Sequence, residues 1–277
     1  MLVPMKEILE KAREQKYGVI APNVINEDTA RACIEAAVEL DAPLILDFGF
    51  VFHKDIVYLG RIIEYLANQV SVPIALNLDH GATFEQAVWA IRAGFTSIMV
   101  DRSTAPLEQN IRETKEIVKM AHAVNVSVEA ELGHVGEGKM YGDSVKGLYT
   151  DVEEAQSFVT KTGIDCLAVA VGTAHGQYNG LPHLNFELLN ELNQKLLIPL
   201  VLHGGSGTGD ANLVKAIKCG ITKINIATDL FTAAIDEGNQ LGESYMIYHR
   251  LQKGFKDRLI YYMKLAGQAG KAGKASN

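Results

Sequence analysis

The stretch IPLVLHGGSGTG, residues 198–209, shows in twelve residues the pattern from which the fold of this 277-residue chain can be predicted. A short apolar run, 198–202, leads directly to His203 and then to a glycine-rich segment. An uninterrupted apolar run is typical of a strand buried on both faces, and the glycines after it are typical of a turn into a helix. The stretch therefore predicts a buried strand whose carboxyl end presents a polar side chain.

Seven more apolar runs resemble this one, and amphipathic segments with helical spacing separate them. The eight runs are 18–24, 43–48, 73–78, 96–100, 126–132, 165–171, 198–202 and 221–226. Eight strand–helix units in this length predict the α/β class and a (β/α)8 TIM barrel. A doubly wound open sheet is the alternative architecture.

Helix boundaries have their own signals in the sequence. Thr83 with Gln86, and Thr150 with Glu153, fit the capping box that begins a helix. Glycines 94, 163 and 220 lie where the preceding helices should end. No linker interrupts the alternation, so we expect a single domain over residues 1–277, with a C-terminal helical extension and a short mobile tail from Gly267.

The composition excludes several classes of function. The chain has 26 basic and 33 acidic residues, a net charge of −7, which provides no basic footprint for nucleic acid or an anionic membrane surface. The apolar runs are too short to span a bilayer, and the amino end lacks the apolar core of a signal peptide. Three cysteines without paired spacing give no disulfide framework. We therefore expect a cytoplasmic protein.

Polar residues end six of the eight predicted strands. They are Asp79 and His80, Asp101, Glu129 and Glu131, His175 just after the sixth run, His203, and Asn225 with Thr228. In a TIM barrel the carboxyl ends of all strands meet at one mouth, where active sites form. The sequence therefore predicts that these side chains converge.

Three of the converging residues are histidines, His80, His175 and His203. One histidine at such a rim is more often a hydrogen-bonded structural residue, but three around one point suit a catalytic Zn²⁺ with one ion per chain. Co²⁺, Mn²⁺ and Fe²⁺ accept the same ligands.

Three carboxylates lie beside these histidines in the predicted mouth. Asp79 could move a proton to and from a substrate hydroxyl, or could merely orient a ligating imidazole. Asp101 and Glu131 could hold a second cation or an alternative metal position, or could serve as caps and hydrogen-bond acceptors.

Two segments after the last strands are suited to an anion. Gly204, Gly205 and Ser206 follow the seventh strand, and the residues Asn225, Ile226, Ala227 and Thr228 lie at the end of the eighth. Exposed amides and helix N-termini bind phosphate, and TIM barrels use these two loops for that purpose. A small-molecule organophosphate is the expected substrate.

Five motifs in this order resemble those of the class II, zinc-dependent ketose-bisphosphate aldolases, over about residues 5–238. They are Leu78-Asp79-His80-Gly81, Val128-Glu129-Ala130-Glu131-Leu132-Gly133, Gly172-Thr173-Ala174-His175-Gly176, Leu202-His203-Gly204-Gly205-Ser206-Gly207 and Lys223-Ile224-Asn225-Ile226-Ala227-Thr228. The resemblance implies reversible cleavage of a fructose- or tagatose-type ketose 1,6-bisphosphate to dihydroxyacetone phosphate and an aldehyde. It also implies a homodimer or homotetramer.

The resemblance also implies individual roles. The three histidines would bind zinc, Asp79 would carry the proton, and Glu131 matches an alternative metal ligand. The dihydroxyacetone phosphate portion would be held by the two loops named above together with Gly176, and Asn23 matches an asparagine near the substrate. The loop 133–149 is expected either to close over the site or to be a surface excursion.

Several positions depart from the family pattern, and they concern substrate recognition. Gln177, Tyr178 and Asn179 stand where a lysine commonly follows, residues 47–52 replace a more polar stretch, and the carboxyl region lacks the usual Asp-Pro-Arg. Arg102 replaces a glycine and is expected to contact an anion of the substrate. A ketose 1-phosphate with a non-phosphorylated or otherwise anionic aldehyde portion is therefore an alternative, as is a non-catalytic sugar-phosphate-binding protein. A metal-dependent hydrolase is disfavoured because the first strand carries no paired histidines.

Overall fold

The computed structural model describes residues 1–53, 55–136 and 149–273, and within them eight strands form one sheet. The strands are β1 Val19–Pro22, β2 Leu44–Phe48, β3 Ile74–Gly81, β4 Ser97–Val100, β5 Ser127–Leu132, β6 Cys166–Val169, β7 Leu200–Leu202 and β8 Ile221–Ile226. Neighbours are parallel in the order β1-β8-β7-β6-β5-β4-β3-β2. An isolated parallel bridge between Asn23 and Asp47 connects β1 to β2. The sheet is thus a nearly closed (β/α)8 barrel, as predicted, and not an open doubly wound sheet.

Ten α-helices surround the barrel within the same described ranges. They are α1 Met5–Gln15, α2 Glu27–Glu39, α3 Ile56–Ala67, α4 Phe84–Arg92, α5 Leu107–His122, α6 Val152–Thr162, α7 Phe186–Lys195, α8 Asp210–Lys218, α9 Thr228–Gly238 and α10 Ile247–Leu265. Helices α2–α9 each follow one strand, as a parallel sheet requires. Across the described residues we find no helix with both the length and the apolar character to cross a membrane.

The core has two parts because every strand is buried on both faces. The larger part lies between the strands and the outer helices. The smaller part lies inside the barrel, where Ile45, Ala75 and Met99 pack with Met5 and Leu9 of α1. Helix α1 therefore closes the amino end of the barrel, and the described residues leave a cavity at the opposite end.

The predicted helix boundaries are correct with one exception. Thr83 caps α4 by accepting from the Gln86 amide, and Gly163 ends α6 in the left-handed conformation. Thr150 is not a cap, because its hydroxyl donates to the Leu132 carbonyl and Asp151 caps α6 instead. An aspartate carboxylate accepts the amide at this position as well as a threonine does.

The first part of the segment expected to be mobile is packed across the amino end of the barrel. The Gln268 side chain is fully buried; its Oε1 accepts from the Ile20 amide at 2.9 Å and its Nε2 donates to the Pro43 carbonyl at 2.7 Å. The amides of Gly270 and Ala272 also donate to carbonyls between α2 and β2. Since Ile20 belongs to β1 and Pro43 precedes β2, Gln268 bridges the seam where these two strands diverge.

We predict that Gln268→Ala lowers the free energy of unfolding by about 2–4 kcal/mol, because it leaves a buried amide and a buried carbonyl unpaired. Urea unfolding followed by circular dichroism measures this change. Gln69→Ala, at an exposed position, is the matched control and should change stability by less than about 0.5 kcal/mol. Equal stability of the two variants would show that the seam does not depend on Gln268.

Candidate metal and substrate site

The carboxyl end of β3 brings two functional side chains into the barrel mouth. His80 has a φ of +49°, which is unusual for a residue other than glycine. The pairing of β3 with β4 shifts register between Leu78 and Gly81, the residues that flank Asp79 and His80. Such local strain is typical of functional positions, because the surrounding structure must hold the residue in place.

His80, His175 and His203 come together as the sequence predicts, although they lie on three separate segments. The ring centroids are 5.0 Å apart for His80 and His175, 4.9 Å for His80 and His203, and 5.6 Å for His175 and His203. One ring nitrogen from each lies within 4.8 Å of the others. This spacing suits one ion bound by all three imidazoles.

The hydrogen bonds of the three rings test whether a metal fits between them. Nδ1 of His80 lies 2.8 Å from an Asp101 oxygen, Nδ1 of His175 lies 3.2 Å from the Val135 carbonyl, and Nε2 of His203 lies 2.9 Å from Glu129. Of the remaining nitrogens, Nε2 of His175 and Nδ1 of His203 are buried without a partner among the described residues. Metal-binding histidines usually have one nitrogen held by a protein acceptor in this way. The donor set therefore fits a divalent metal.

Asp79 lies beside this triad and is almost completely buried. Its Oδ2 accepts from Asn23 Nδ2 at 2.7 Å, and its Oδ1 is 3.4 Å from Asn225 Nδ2. Burial alone would raise the pKa of Asp79, but His80, His203 and Lys223 beside it hold that pKa below its ordinary value. The carboxylate is thus ionised and able to accept a proton.

The imidazoles of the triad differ in charge preference. Burial lowers the pKa of His80, but the carboxylates of Asp79 and Asp101 outweigh this effect and raise that pKa to about 10. Burial and the neighbouring His203 and His80 lower the pKa of His175 to about 4. Proximity to Asp79 and Asp101 thus favours a positive charge at His80.

A second group of potential ligands shares His80 with the triad. His80, Asp101 and Glu131 also place ligand atoms within 4.8 Å of one another. Glu131 Oε1 accepts from the Val135 amide, whereas its Oε2 is buried with no hydrogen bond in the described chain. Burial raises the pKa of Glu131, so a cation beside it would favour its ionised form.

Beneath the triad lies an ion network that sequence reasoning missed. Lys223 is fully buried, with Nζ 2.9 Å from Glu129 Oε2 and 3.1 Å from Asp47 Oδ2. The other Glu129 oxygen contacts His203, so the network holds the ring whose Nδ1 faces the other two histidines. Charged residues inside apolar strands were the available signal, because Lys and Glu are almost never fully buried unless paired.

The loops after β7 and β8 form a second part of the site. Gly204 has a φ of +68°, and a Cβ there would lie 2.2 Å from the Ala174 carbonyl oxygen, so only glycine fits. Ser206 Oγ accepts from the amides of Ala227 and Asp229, which joins the two loops. The Tyr178 hydroxyl, a contact not anticipated from the sequence, donates to the Gly204 carbonyl at 2.7 Å.

A cavity of about 810 Å³ opens above these residues. Besides the residues described above, its lining includes Gly49, Val51, Phe52, His134, Gly136, Gly176, Phe231, Thr232 and Ile235. Of the expected substrate contacts, the lining includes Asn23, Gly176, Gly204, Ser206, Asn225, Ala227 and Thr228. The cavity is thus large enough for a sugar phosphate.

Three expected contacts are placed differently. Arg102 is not part of the cavity lining, because its Nε donates to Glu113 at 2.5 Å and its guanidinium also donates to the Asp101 carbonyl. The side chain of Ile226 is buried in the core, and Gly205 packs against Ile224 below the surface. Most of the loop 133–149 lies outside the described residues.

Comparison with known proteins agrees with this geometry. Residues 3–271 match the family model described as fructose-bisphosphate aldolase class-II. The fructose-bisphosphate aldolase of Staphylococcus aureus strain Mu50 is 43% identical over 235 residues, with 82% of each chain covered. The protein YdjI of Escherichia coli K12 is 38% identical over 277 residues, covering 98% of this chain and 100% of that one. The crystal structure of the YdjI aldolase superposes with a TM-score of 0.89 at 36% identity, covering 99% and 100%. The chain belongs to the class II fructose-bisphosphate aldolase family.

Proposed function

We propose that this protein is a zinc-dependent aldolase that cleaves a phosphorylated ketose between C3 and C4, releasing dihydroxyacetone phosphate and an aldehyde. The observation that supports this most directly is the convergence of three imidazoles beside an ionised carboxylate in the barrel mouth. A non-catalytic binding protein would not need both features. Family membership supports the same reaction class.

His80, His175 and His203 are the residues that would hold the metal, with one nitrogen each. When bound, Zn²⁺ supplies a Lewis acid that polarises the ketose carbonyl. Asp101, the Val135 carbonyl and Glu129 fix the orientation of the three rings through their other nitrogens. Asp101 and Glu131 offer an alternative position for a cation next to His80.

Asp79 is the proposed proton carrier. In the cleavage direction its carboxylate accepts the proton of the C4 hydroxyl, the C3–C4 bond breaks, and the electron pair of that bond remains with the three-carbon product. The proton returns to the aldehyde oxygen in the condensation direction. Asn23 and Asn225 orient this carboxylate through their side-chain amides.

The phosphate of the dihydroxyacetone portion is proposed to bind between the loops after β7 and β8. Gly204 allows a close approach of backbone, and Ser206 joins the loops by accepting from the amides of Ala227 and Asp229 at the start of α9. The partial positive charge of that helix start favours an anion, although the Asp229 carboxylate in its first turn opposes it.

We predict that His203→Ala removes the metal. The purified protein should contain close to one zinc-like ion per chain, and the variant almost none, because only two imidazoles remain. Elemental analysis by mass spectrometry measures both. His249→Ala, on the exposed side of α10, is the control and should keep the metal. Full metal content in His203→Ala would refute the ligand assignment.

We predict that Asp79→Ala lowers kcat by about 10²- to 10⁴-fold while metal content remains unchanged, because the variant lacks only the proton carrier. Release of aldehyde from a ketose phosphate, followed with a coupled dehydrogenase, measures the rate. Inhibition by inorganic phosphate reports whether the phosphate site is intact in the variant. If the variant retains full activity, another group carries the proton.

We predict that Glu129→Gln weakens zinc binding by about 10- to 100-fold, because the carboxylate that orients His203 is then neutral. Competition with a chromogenic chelator measures the dissociation constant, and circular dichroism reports whether the variant is folded. Glu116→Gln, an exposed change on α5, should leave zinc affinity unaltered. Unchanged affinity in a folded Glu129→Gln variant would contradict this positioning role.

A further inference from the structure

The cavity has two ends. The glycine backbone after β7 and the start of α9 after β8 lie at one end, which is the proposed position of the phosphate of the dihydroxyacetone portion. The other end is lined by residues that follow β1 and β2, among them Val51 and Phe52, and is the proposed position of the aldehyde portion. The structure of this second end indicates whether the aldehyde portion can carry a phosphate group.

The helix starts above β1, β2 and β3 are already occupied by the chain itself. Asn26 caps α2, Asp55 caps α3 and Thr83 caps α4, each by accepting from a backbone amide. Acidic residues also lie in the first turns of α2 and α4. A helix start that is capped and acidic is a poor site for a phosphate dianion.

The cavity wall on this side is apolar. Val51 and Phe52 follow β2, and Phe231 and Ile235 face the same space from α9. Val51 and Ile235 are mostly exposed, 90% and 57%, so their side chains are available to a ligand. These four side chains offer a second phosphate neither a charge nor a hydrogen-bond donor.

No lysine or arginine belongs to the described lining of the cavity. Arg102, which follows the lining residue Asp101 in the sequence, donates to Glu113 and to the Asp101 carbonyl. Two carboxylates, Asp79 and Asp101, belong to the lining. In the described part of the cavity, a phosphate bound beyond Asp79 would therefore meet carboxylates and apolar surface, whereas strong phosphate binding requires donors of opposite charge or free amides.

We propose that the substrate is a ketose whose only phosphate is on C1, so that the released aldehyde carries no phosphate. This inference rests on the proposed aldolase function and specifies its substrate class. It selects the ketose 1-phosphate over the ketose 1,6-bisphosphate suggested by the resemblance of the motifs.

The experiment compares matched aldehydes in the condensation direction. The zinc-loaded enzyme is given dihydroxyacetone phosphate with glyceraldehyde or with glyceraldehyde 3-phosphate, and kcat/KM is measured for each aldehyde. We expect glyceraldehyde to be preferred by at least about tenfold. The reverse comparison uses fructose and tagatose 1-phosphates against their 1,6-bisphosphates, so that the configuration at C4 does not decide the result. A preference for the phosphorylated aldehyde or for the bisphosphates would overturn the proposal.

A second measurement separates failure of this inference from failure of the proposed function. Dihydroxyacetone phosphate alone, incubated with the enzyme in D₂O, should exchange one C3 proton for deuterium, which NMR detects without any aldehyde. Exchange together with a preference for the phosphorylated aldehyde would refute the single-phosphate inference and leave the aldolase function standing. Absence of exchange in the metal-loaded enzyme would refute the aldolase function itself.

A positive charge introduced into the apolar wall tests whether the aldehyde portion of the substrate lies against this wall. Val51→Lys should raise kcat/KM for glyceraldehyde 3-phosphate relative to glyceraldehyde by about two- to fivefold, and added salt should reduce this gain, as for other exposed ion pairs. Val51→Gln is the matched control of similar length without the charge. Equal selectivity in the two variants would contradict the placement of the aldehyde portion against Val51.

Discussion

Lys223 holds its ammonium group inside the barrel between two carboxylates, and the site above it depends on this charge. Asp47 and Glu129 contact the ammonium directly, and Asp79 adds a third nearby carboxylate. These contacts raise the pKa of Lys223, so the ammonium remains charged although burial opposes it. Removing one member of such a buried pair leaves an unpaired charge and costs about 3–5 kcal/mol.

The carboxylates around Lys223 outnumber it. Burial and the nearby Asp79 and Glu129 raise the pKa of Asp47 to about 7, although Lys223 lowers it. The mouth therefore has more carboxylates than one lysine can balance, which favours a divalent cation above it.

The same barrel end combines side chains that are held by buried contacts with side chains on more exposed segments. The three imidazoles, Asp79 and the glycine backbone at Gly204 are held by strand ends and buried contacts. Val51, Phe52 and Ile235, in contrast, lie on a loop and on the exposed part of a helix. Loops of a TIM barrel can change without disturbing the strands, so one catalytic centre can serve different substrates. The departures from the family motifs lie mainly in such segments.

The sequence predicts the barrel and the convergence of three histidines, because both follow from the positions of the strands. Apolar runs mark the strands, and polar residues that follow parallel strands lie at the common mouth, which is how His80, His175 and His203 were identified. The ion pairs of Lys223 with Asp47 and Glu129 could not be predicted. They join different strands across the barrel, so they depend on strand register, which the sequence does not specify. Arg102 was expected at the substrate, but α5 carries Glu113 within its reach, a distance that depends on how the helix begins. The Gly, Ala and Lys composition after residue 266 predicts mobility and does not reveal that Gln268 finds partners 248 and 225 positions away.

The position of Gln268 has a consequence for biosynthesis. Strands β1 and β2 are made first, yet the hydrogen bonds that bridge their seam come from a residue near the carboxyl terminus. These hydrogen bonds cannot form until the chain has been synthesised through Gln268, 248 residues beyond Ile20 and 225 beyond Pro43. Contacts between residues so far apart in sequence form slowly, because a long loop must close first. The bridge between the first two strands is therefore expected to be among the last parts of the barrel to form.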